Sequence, residues 1–375
     1  MSVTWELLLV LPHAAFRAPI ESEHLALVPP DDSRLKDLCK QHAGVARLVR
    51  RFTDQFGRRI KPSALLVRSD APKSALDFYA VASFRNVVAL SSLIDAWTIQ
   101  LGGGNVGYPL WSDYLDLYPF APTKDYQQLM ARSVASWEVD KPDKFRGQRA
   151  PHLPTGDRLS FGVDKVVLDA CLERWRRRFV AGRKEWKSRA LFRSLEIACQ
   201  AARMPAVGTR EPTIHDAGVS ISLWVSAFEI LKQRRDDQAN LLTVMKLMKG
   251  AGWRDAKLKA QRYVVRYGGK RHQVNYACKL YADLYKARCD FLHGNPVTAG
   301  NMFPSRERKG PILLHCAPLV YRVALLEFLG FGTGDRPNLL SLLSEDRIEE
   351  YVDHWHTQDT FEEALRACQD KSRIP

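Results

Sequence analysis

Tyr281-Ala-Asp-Leu-Tyr-Lys-Ala-Arg-Cys-Asp-Phe-Leu-His-Gly-Asn-Pro296 is the stretch on which the interpretation of the whole chain depends. Apolar and aromatic residues recur with helical spacing through this stretch and just before it, at Val274, Cys278, Tyr281, Leu284, Tyr285 and Leu292. This spacing predicts an amphipathic helix with one buried stripe. Gly294 and Pro296 then predict the end of the helix, because glycine readily adopts the left-handed cap conformation and proline cannot continue a helix.

Two residues near the end of this predicted helix need a chemical explanation. Arg288 falls on the apolar stripe, where a cation is costly unless a partner neutralises it, and His293 lies where the helix ends. Arg210 and His215 show the same Arg-x4-His spacing, but Pro212 lies between them and predicts a loop. We therefore assign a possible function to the Arg288 copy alone.

The segment from Leu284 to Gly294 reads Leu-Tyr-x-x-Arg-x4-His-Gly. This pattern resembles the HEPN superfamily of helical ribonucleases, and it is similar to the Apea-like branch of that family. The resemblance implies a helical bundle, metal-independent RNA cleavage, and a cleft built between two protomers. It also implies that Arg288 and His293 are catalytic. Cys289 follows the arginine here, where family members often have Asn, Asp or His.

The two motif residue types suit the cleavage chemistry that the resemblance implies. A ribose 2′-hydroxyl attacks the adjacent phosphodiester and leaves a cyclic phosphate and a 5′-hydroxyl. Histidine transfers protons well at neutral pH, since its unperturbed pKa is about 6.5. Arginine is always charged, and its guanidinium can bind two oxygens of the phosphorane. Possible supporting residues are Glu229, Asp290 and Asn295.

A structural role for the same residues is the alternative. In that interpretation Arg288 pairs with Asp290 or Glu229, and His293 caps its own helix. Glu229 lies beside the apolar stripe of a preceding predicted helix, where it could meet Arg288 or face solvent. The sequence leaves these alternatives open.

The chain is strongly basic, with a formal net charge of +14 at pH 7. A charge of this size predicts a polyanionic partner, although a basic protein without such a partner is the alternative. Two stretches concentrate the charge, and we predict RNA contacts in both. The stretch just before the motif helix contains Lys257, Lys259, Arg262, Arg266, Lys270 and Arg271, and an earlier one contains Arg176, Arg177, Arg183 and Lys184. Trp175 and Phe179, within the earlier stretch, have the spacing of core residues.

The length of 375 residues suffices for two domains with cores of their own. Residues 1–140 mix short apolar or alternating runs with helical periods, which predicts a mixed α/β domain. The runs predict strands at residues 5–11, 24–28 and 63–67. Residues 141–159 are rich in Lys, Arg, Pro and Gly, so we predict a linker there. Residues 160–375 show helical periods throughout, which predicts a helical, HEPN-like domain and an α+β protein overall. Thr360 to Glu363 has the pattern of a capping box and predicts the start of a last helix.

The seven cysteines are scattered and lack Cys-x-x-Cys spacing, so neither a disulfide framework nor a zinc site is indicated. We expect no metal and no cofactor. The first residues lack the basic region of a signal peptide, and we find no long apolar run, so we expect a cytoplasmic protein without a membrane span.

The sequence thus predicts a metal-independent endoribonuclease, which the resemblance would place in antiviral defence or a toxin-like system. We expect a homodimer through the C-terminal domain, and a protein or phage-derived trigger that acts on residues 1–140. A non-catalytic RNA-binding, dimerisation or adaptor module, with a structural Arg-x4-His motif, is the alternative function.

Overall fold

The computed structural model describes residues 4–12, 15–16, 18–54, 56–104, 121–127, 129–130, 152–153, 160–203, 213–233, 239–304, 310–331 and 346–369. The chain forms two compact units. The first, here called the α/β unit, consists of Met1–Ala89, Trp111–Gly162 and Trp175–Arg183. The second, here called the helical unit, consists of Leu90–Leu110, Val163–Arg174 and Lys184–Pro375. Most of the predicted linker 141–159 lies outside the described residues, so this boundary stays a prediction.

A four-stranded antiparallel sheet forms the centre of the α/β unit. Its strands, in spatial order, are β1 (Trp5–Leu11), β6 (Ser63–Arg68), β4 (Leu25–Val28) and β3 (Ile20–Glu21). Three pairs of two-residue strands complete the unit: β2 (Ala15–Phe16) with β10 (Ser160–Phe161), β5 (Thr53–Asp54) with β9 (His152–Leu153), and β7 (Ala121–Pro122) with β8 (Leu129–Met130). The strands predicted at residues 5–11, 24–28 and 63–67 are thereby confirmed.

Two helices, α1 (Ser33–Gln41) and α2 (Ala43–Val49), cover this sheet. Asp32 caps α1 by accepting a hydrogen bond from the backbone N–H of Arg34 at 2.9 Å. Apolar side chains of both helices join those of the sheet in one buried core, which includes Leu35, Leu38, Val45, Leu48 and Leu66. The periodic spacing of these leucines and valines is what selects the face that each helix buries.

The remaining helices belong wholly or partly to the helical unit, apart from the short α3 (Lys73–Leu76). They are α4 (Phe78–Leu101), α5 (Lys165–Trp175) with a π-helical continuation at Arg176–Val180, α6 (Trp186–Arg203), α7 (Ile214–Lys232), α8 (Leu241–Met248), α9 (Ala256–Ala260), α10 (Tyr276–Leu292), α11 (Leu313–Leu329) and α12 (Asp346–Ala367). A hairpin of β11 (Tyr263–Tyr267) and β12 (Lys270–Val274) lies between α9 and α10. The α+β class with a helical C-terminal part is confirmed. The hairpin, however, was not predicted.

Helix α7 is the central helix of this unit and packs against α6, α10 and α11. The rings of Phe228 and Tyr281 lie 4.9 Å apart, and a Cβ at Gly218 would meet the ring of Phe291 at 2.3 Å. Positions advance along α10 as they recede along α7, so the two helices are antiparallel. Among the described residues, α7 alone has the length and apolar composition of a membrane span, but 56% of its apolar segment is buried, as in the core helix of a folded domain.

A buried polar network connects α11 to two other parts of the helical unit, the start of α5 and α12. Arg322 on α11 is fully buried; its Nε donates to Asp164, and its Nη1 donates to Gln358 of α12 at 2.8 Å. Asp164 also caps α5, by accepting from the backbone N–H of Val167 at 3.0 Å. Glu362 accepts from Gln358 at 2.7 Å. These bonds offset much of the cost of placing an arginine in the core.

Two local predictions are wrong. Thr360 does not begin a helix, because α12 starts at Asp346 and the Thr360 hydroxyl donates to the carbonyl of His356 one turn earlier. Leu292 is not part of the buried stripe, since 60% of it is exposed. The periodic pattern identified the face of α10 but not the point at which that face leaves the core.

Candidate active site and basic hairpin

Helix α10 has well-defined ends that set the positions of the motif residues. Asn275 caps its start by accepting from the backbone N–H of Cys278 at 3.0 Å, while its amide donates to the carbonyl of Met248 at 2.8 Å. At the other end Gly294 has a φ of +69°, which confirms the predicted left-handed cap. The backbone N–H of His293 donates to the carbonyl of Cys289 at 3.0 Å, so His293 closes the last turn.

Arg288 is held by Glu229 of α7. Its Nη1 donates to Glu229 Oε1 at 2.9 Å, and the two side chains are 24% and 16% exposed. The open question about Glu229 is thereby answered: it faces Arg288 and not solvent. Burial raises the pKa of Glu229, while the charge of Arg288 and the hydrogen bond oppose that rise. The pair is therefore a half-buried ion pair in which desolvation is the larger effect.

The direction of side chains in helices explains how these two residues meet. Side chains in a helix tilt towards the N-terminus of that helix. Glu229 lies near the C-terminal end of α7 and Arg288 near that of α10, so in this antiparallel pair both side chains extend towards the middle of the pair and meet there. Arg288 consequently extends back over Tyr285, with its Cζ 5.9 Å from that ring. Its Nε is buried and has no hydrogen-bond partner among the described residues, and the same holds for the hydroxyl of Tyr281. Burial raises the pKa of Tyr281 well above its usual range.

His293 has a different environment, because it is exposed to solvent at the end of α10. Five residues along a helix correspond to about 140° around its axis, which separates His293 from the face of Arg288. Within the described part of the chain, no hydrogen bond or ion pair links the two side chains. A single copy thus places the predicted catalytic pair on one helix without bringing the two side chains together.

The loop after α10 is tied back to the helix by Asp290. Its carboxylate accepts from the side-chain amide of Asn295 at 3.2 Å and from that of Asn301 at 3.0 Å. Its carbonyl accepts from the backbone N–H of Asn295 at 3.0 Å. Asp290 and Asn295 therefore act together and fix the turn that carries His293. Cys289 is half-buried, and burial raises the pKa of its thiol.

The basic stretch before α10 folds into the β11–β12 hairpin, whose two-residue turn is Gly268-Gly269. Both glycines have positive φ, +57° and +76°, as a tight hairpin turn requires. On the face towards α10, Tyr263 packs on Tyr276 and Tyr267 packs on Tyr285, with ring centroids 5.3 and 6.4 Å apart. The tip of the hairpin thus lies beside Tyr285, the residue over which Arg288 extends.

The predicted RNA-binding residues of this stretch are all exposed. Lys257 and Lys259 lie on α9, Arg262 precedes the hairpin, and Arg266, Lys270 and Arg271 lie on its strands. The guanidinium of Arg262 donates to the carbonyl of Lys259 at 2.6 Å, which connects α9 to the hairpin. These positive charges therefore form one continuous surface segment that leads to the motif helix.

The earlier basic stretch is placed differently. Arg176, Arg177 and Arg183 belong to the α/β unit, and Lys184 begins the next segment of the helical unit. Arg176, Arg183 and Lys184 are exposed, and Arg177 is half-buried. Trp175 and Phe179 are buried, which confirms their interpretation as core residues. Of the second Arg-x4-His copy, Arg210 lies outside the described residues, and His215 is exposed in the first turn of α7.

The sequence predicts the charge of the hairpin, whereas its two strands and its tyrosine contacts are seen only in the structure. A signal was available, since Gly268-Gly269 is typical of a two-residue hairpin turn and Tyr263 to Tyr267 before it is rich in β-branched and aromatic residues. Among the described residues, no group of three or more His, Cys, Asp or Glu side chains could hold a metal ion.

Comparisons with models of known protein families, with curated protein sequences and with solved structures find no match to this chain.

Proposed function

We propose that this chain is an endoribonuclease in which Arg288 and His293 carry out cleavage by 2′-hydroxyl attack. The observation that supports this most is the position of the basic hairpin, which packs through Tyr267 against Tyr285 on the motif helix. Phosphates bound along the hairpin would be guided towards the end of α10. The function is also the one that the HEPN resemblance of the motif implies.

In this proposal His293 accepts the proton of the 2′-hydroxyl, because an exposed imidazole can reach the ribose of a bound strand. The 2′-oxygen then bonds to phosphorus as the bond from phosphorus to the 5′-oxygen breaks, and the leaving 5′-oxygen takes a proton from solvent. The Arg288 guanidinium stabilises the charge that develops on the phosphorane oxygens. Its Nη1 is engaged by Glu229, and its Nη2 has no hydrogen bond to any described residue. Nη2 is therefore the atom that would donate to phosphate, while Glu229 fixes the plane of the guanidinium.

The separation of Arg288 and His293 within one copy supports a composite site. In the expected dimer through the C-terminal region, a two-fold axis near the end of α10 would bring His293 of one copy to Arg288 of the other. Mixing Arg288→Ala and His293→Ala proteins tests this. If each site combines both copies, random pairing restores about a quarter of the wild-type activity, since half of the dimers regain one of two sites. No recovery on mixing, with each variant inactive alone, would contradict a site shared in this way.

The direct test of cleavage uses labelled RNA in the presence of a chelator, followed by identification of the fragment ends. We expect a 2′,3′-cyclic phosphate and a 5′-hydroxyl, with the cleavage lost in His293→Ala. His215→Ala is the matched control, because His215 is an exposed histidine of the discarded motif copy. Equal cleavage by wild type and His293→Ala would overturn the assignment.

The same proposal includes a cytoplasmic location, a role in defence or in a toxin-like system, and a trigger that acts on residues 1–140.

The second candidate function is a non-catalytic RNA-binding or dimerisation module. The observation in its favour is the Arg288–Glu229 pair, which gives the arginine a structural partner without any substrate. Under this function RNA binds the hairpin but stays intact in the cleavage assay. RNA binding without cleavage would therefore select the second candidate.

A further inference from the structure

The outer face of the β11–β12 hairpin carries two arginines directly opposite each other. The strand register pairs Arg266 with Arg271, one position before the pair Tyr267 and Lys270 that flanks the turn. Directly opposed residues on one face of an antiparallel pair have Cβ atoms about 4.5–5.5 Å apart, and like charges at such positions destabilise the hairpin. The hairpin therefore places two cations together where its own stability favours their separation.

Nothing in the surrounding described structure offsets this repulsion. Both arginines are exposed, and neither forms an ion pair or a hydrogen bond with a described residue. Their exposed neighbours on the same face are Val264 and Gln273, which are uncharged. From Ala256 to Ala282 the sequence has seven Lys and Arg residues and no Asp or Glu. An anion bound between the two guanidiniums would remove the repulsion.

We propose that Arg266 and Arg271 form a clamp for a single backbone phosphate of single-stranded RNA. Two guanidiniums can donate in parallel to the oxygens of one phosphodiester, as this close cross-strand spacing allows. The other charges of the segment follow along α9 and the hairpin, so the ligand is a polyanion with repeated charges rather than an isolated anion. A deep and narrow major groove makes duplex RNA a poor fit for a two-stranded ribbon, which favours a single strand.

This inference deepens the proposed function, on which it rests for the class of substrate, because it identifies the atoms that bind the strand ahead of the motif helix. Its characteristic property is that the two arginines share one phosphate. Either single substitution, Arg266→Gln or Arg271→Gln, should then weaken binding almost as much as the double substitution, by about tenfold. Two arginines that bind separate phosphates would instead weaken binding by factors that multiply.

Salt dependence provides a second, independent measurement. For single strands the slope of log K against log salt changes by about 0.7 for each phosphate that the protein binds. The double variant should therefore lower the slope by about 0.7, whereas arginines that bind two separate phosphates would lower it by about 1.4. Binding is measured by fluorescence anisotropy with a labelled 2′-O-methyl oligouridylate, which the full-length protein can bind but cannot cleave by 2′-hydroxyl attack.

The matched control is Arg58→Gln/Arg59→Gln, which removes the same two charges from exposed positions in the α/β unit. An equal decrease of affinity in this control would show a general effect of charge and would overturn the clamp. Arg266→Glu provides a variant that keeps the hairpin folded, since it creates an opposite-charge pair with Arg271. It should leave the melting temperature equal or higher and yet reduce binding more than Arg266→Gln does.

Two further outcomes separate this inference from the proposed nuclease. If the wild-type protein binds RNA with non-additive arginine effects but never cleaves it, the clamp stands and the nuclease proposal fails. If the wild-type protein cleaves RNA while both arginine variants bind and cleave normally, the nuclease stands and the clamp fails. Tighter binding to polyglutamate than to the oligonucleotide would also overturn it, because it would identify an acidic protein as the partner.

Discussion

Glu229→Gln and Glu229→Ala separate the two ways in which this carboxylate can matter. Glutamine keeps an oxygen that can accept from Arg288 Nη1, whereas alanine leaves the half-buried guanidinium without its partner. A hydrogen bond to a charged group contributes about 1.5–3 kcal/mol, so we expect alanine to lower the free energy of unfolding by about 2 kcal/mol. For a unit of this size that corresponds to a melting temperature lower by roughly 4–8 °C.

The dependence of stability on pH predicts the direction in which Glu229→Gln changes the free energy of unfolding. Burial raises the pKa of Glu229 above its ordinary value of 4.5, so the folded state holds the proton more tightly than the unfolded state does. The stability contributed by the protonated carboxyl is present below pH 4.5 and is lost as pH rises through the raised pKa. Glu229→Gln removes this loss, so its free energy of unfolding at pH 7 should equal or exceed that of wild type.

Thermal unfolding of the three proteins between pH 4 and pH 8, followed by circular dichroism, provides the measurement. We expect wild type and glutamine to converge at the acid end, with alanine lowest throughout. Equal decreases of stability in glutamine and alanine would show that the negative charge itself stabilises the fold, which contradicts the dominance of burial. Unchanged stability in alanine would show that Arg288 does not need Glu229. In the cleavage assay glutamine should retain more activity than alanine, because it still orients Arg288.

Three further predictions test other parts of the molecule. His293→Ala should leave the melting temperature unchanged, as should the exposed control His215→Ala, while only His293→Ala lowers RNA cleavage, roughly 10²- to 10⁴-fold. Asp164→Asn can still cap α5 but no longer neutralises the fully buried Arg322, so urea unfolding should show a free energy of unfolding lower by about 3–5 kcal/mol. Burial lowers the pKa of His315 to about 4, so the stability contributed by its neutral form is present above pH 6.5 and is lost as pH falls through 4. His315→Phe should therefore make unfolding by acid depend less steeply on pH. An unchanged pH profile would contradict this.

The sequence predicts the elements whose pattern is local. Strand β1 is predicted at residues 5–11 and found at Trp5–Leu11, because its short apolar run ends at Pro12. The helical period from Thr213 to Gln233 predicts α7, which is found at Ile214–Lys232 with a capping box formed by Thr213 and Asp216. In these segments the pattern of neighbouring residues is enough to predict the type and the bounds of the element.

Contacts between distant segments could not be predicted in the same way. Glu229 and Arg288 lie 59 residues apart, and whether they meet depends on the antiparallel packing of α7 on α10. Leu292 continues the apolar period of α10, yet the core ends before it, since periodicity defines a face but not its length. The hairpin differs in a third way: the charges of this stretch favour an exposed surface of any kind, and only Gly268-Gly269 and the β-branched and aromatic residues before it indicate two strands.

The Arg-x4-His spacing joins two residues whose physical environments differ. Helix geometry directs Arg288 back between α7 and α10, where Glu229 and Tyr285 surround it, whereas His293 is exposed beyond the last turn. A mutation at Arg288 therefore changes packing and charge together, while a mutation at the exposed His293 should have little effect on the fold. Since the spacing alone does not bring the two side chains together, the proposed cleavage would need a bound strand or a second copy to bring them to one phosphate. The basic hairpin, packed on the same helix through Tyr267, would position such a strand.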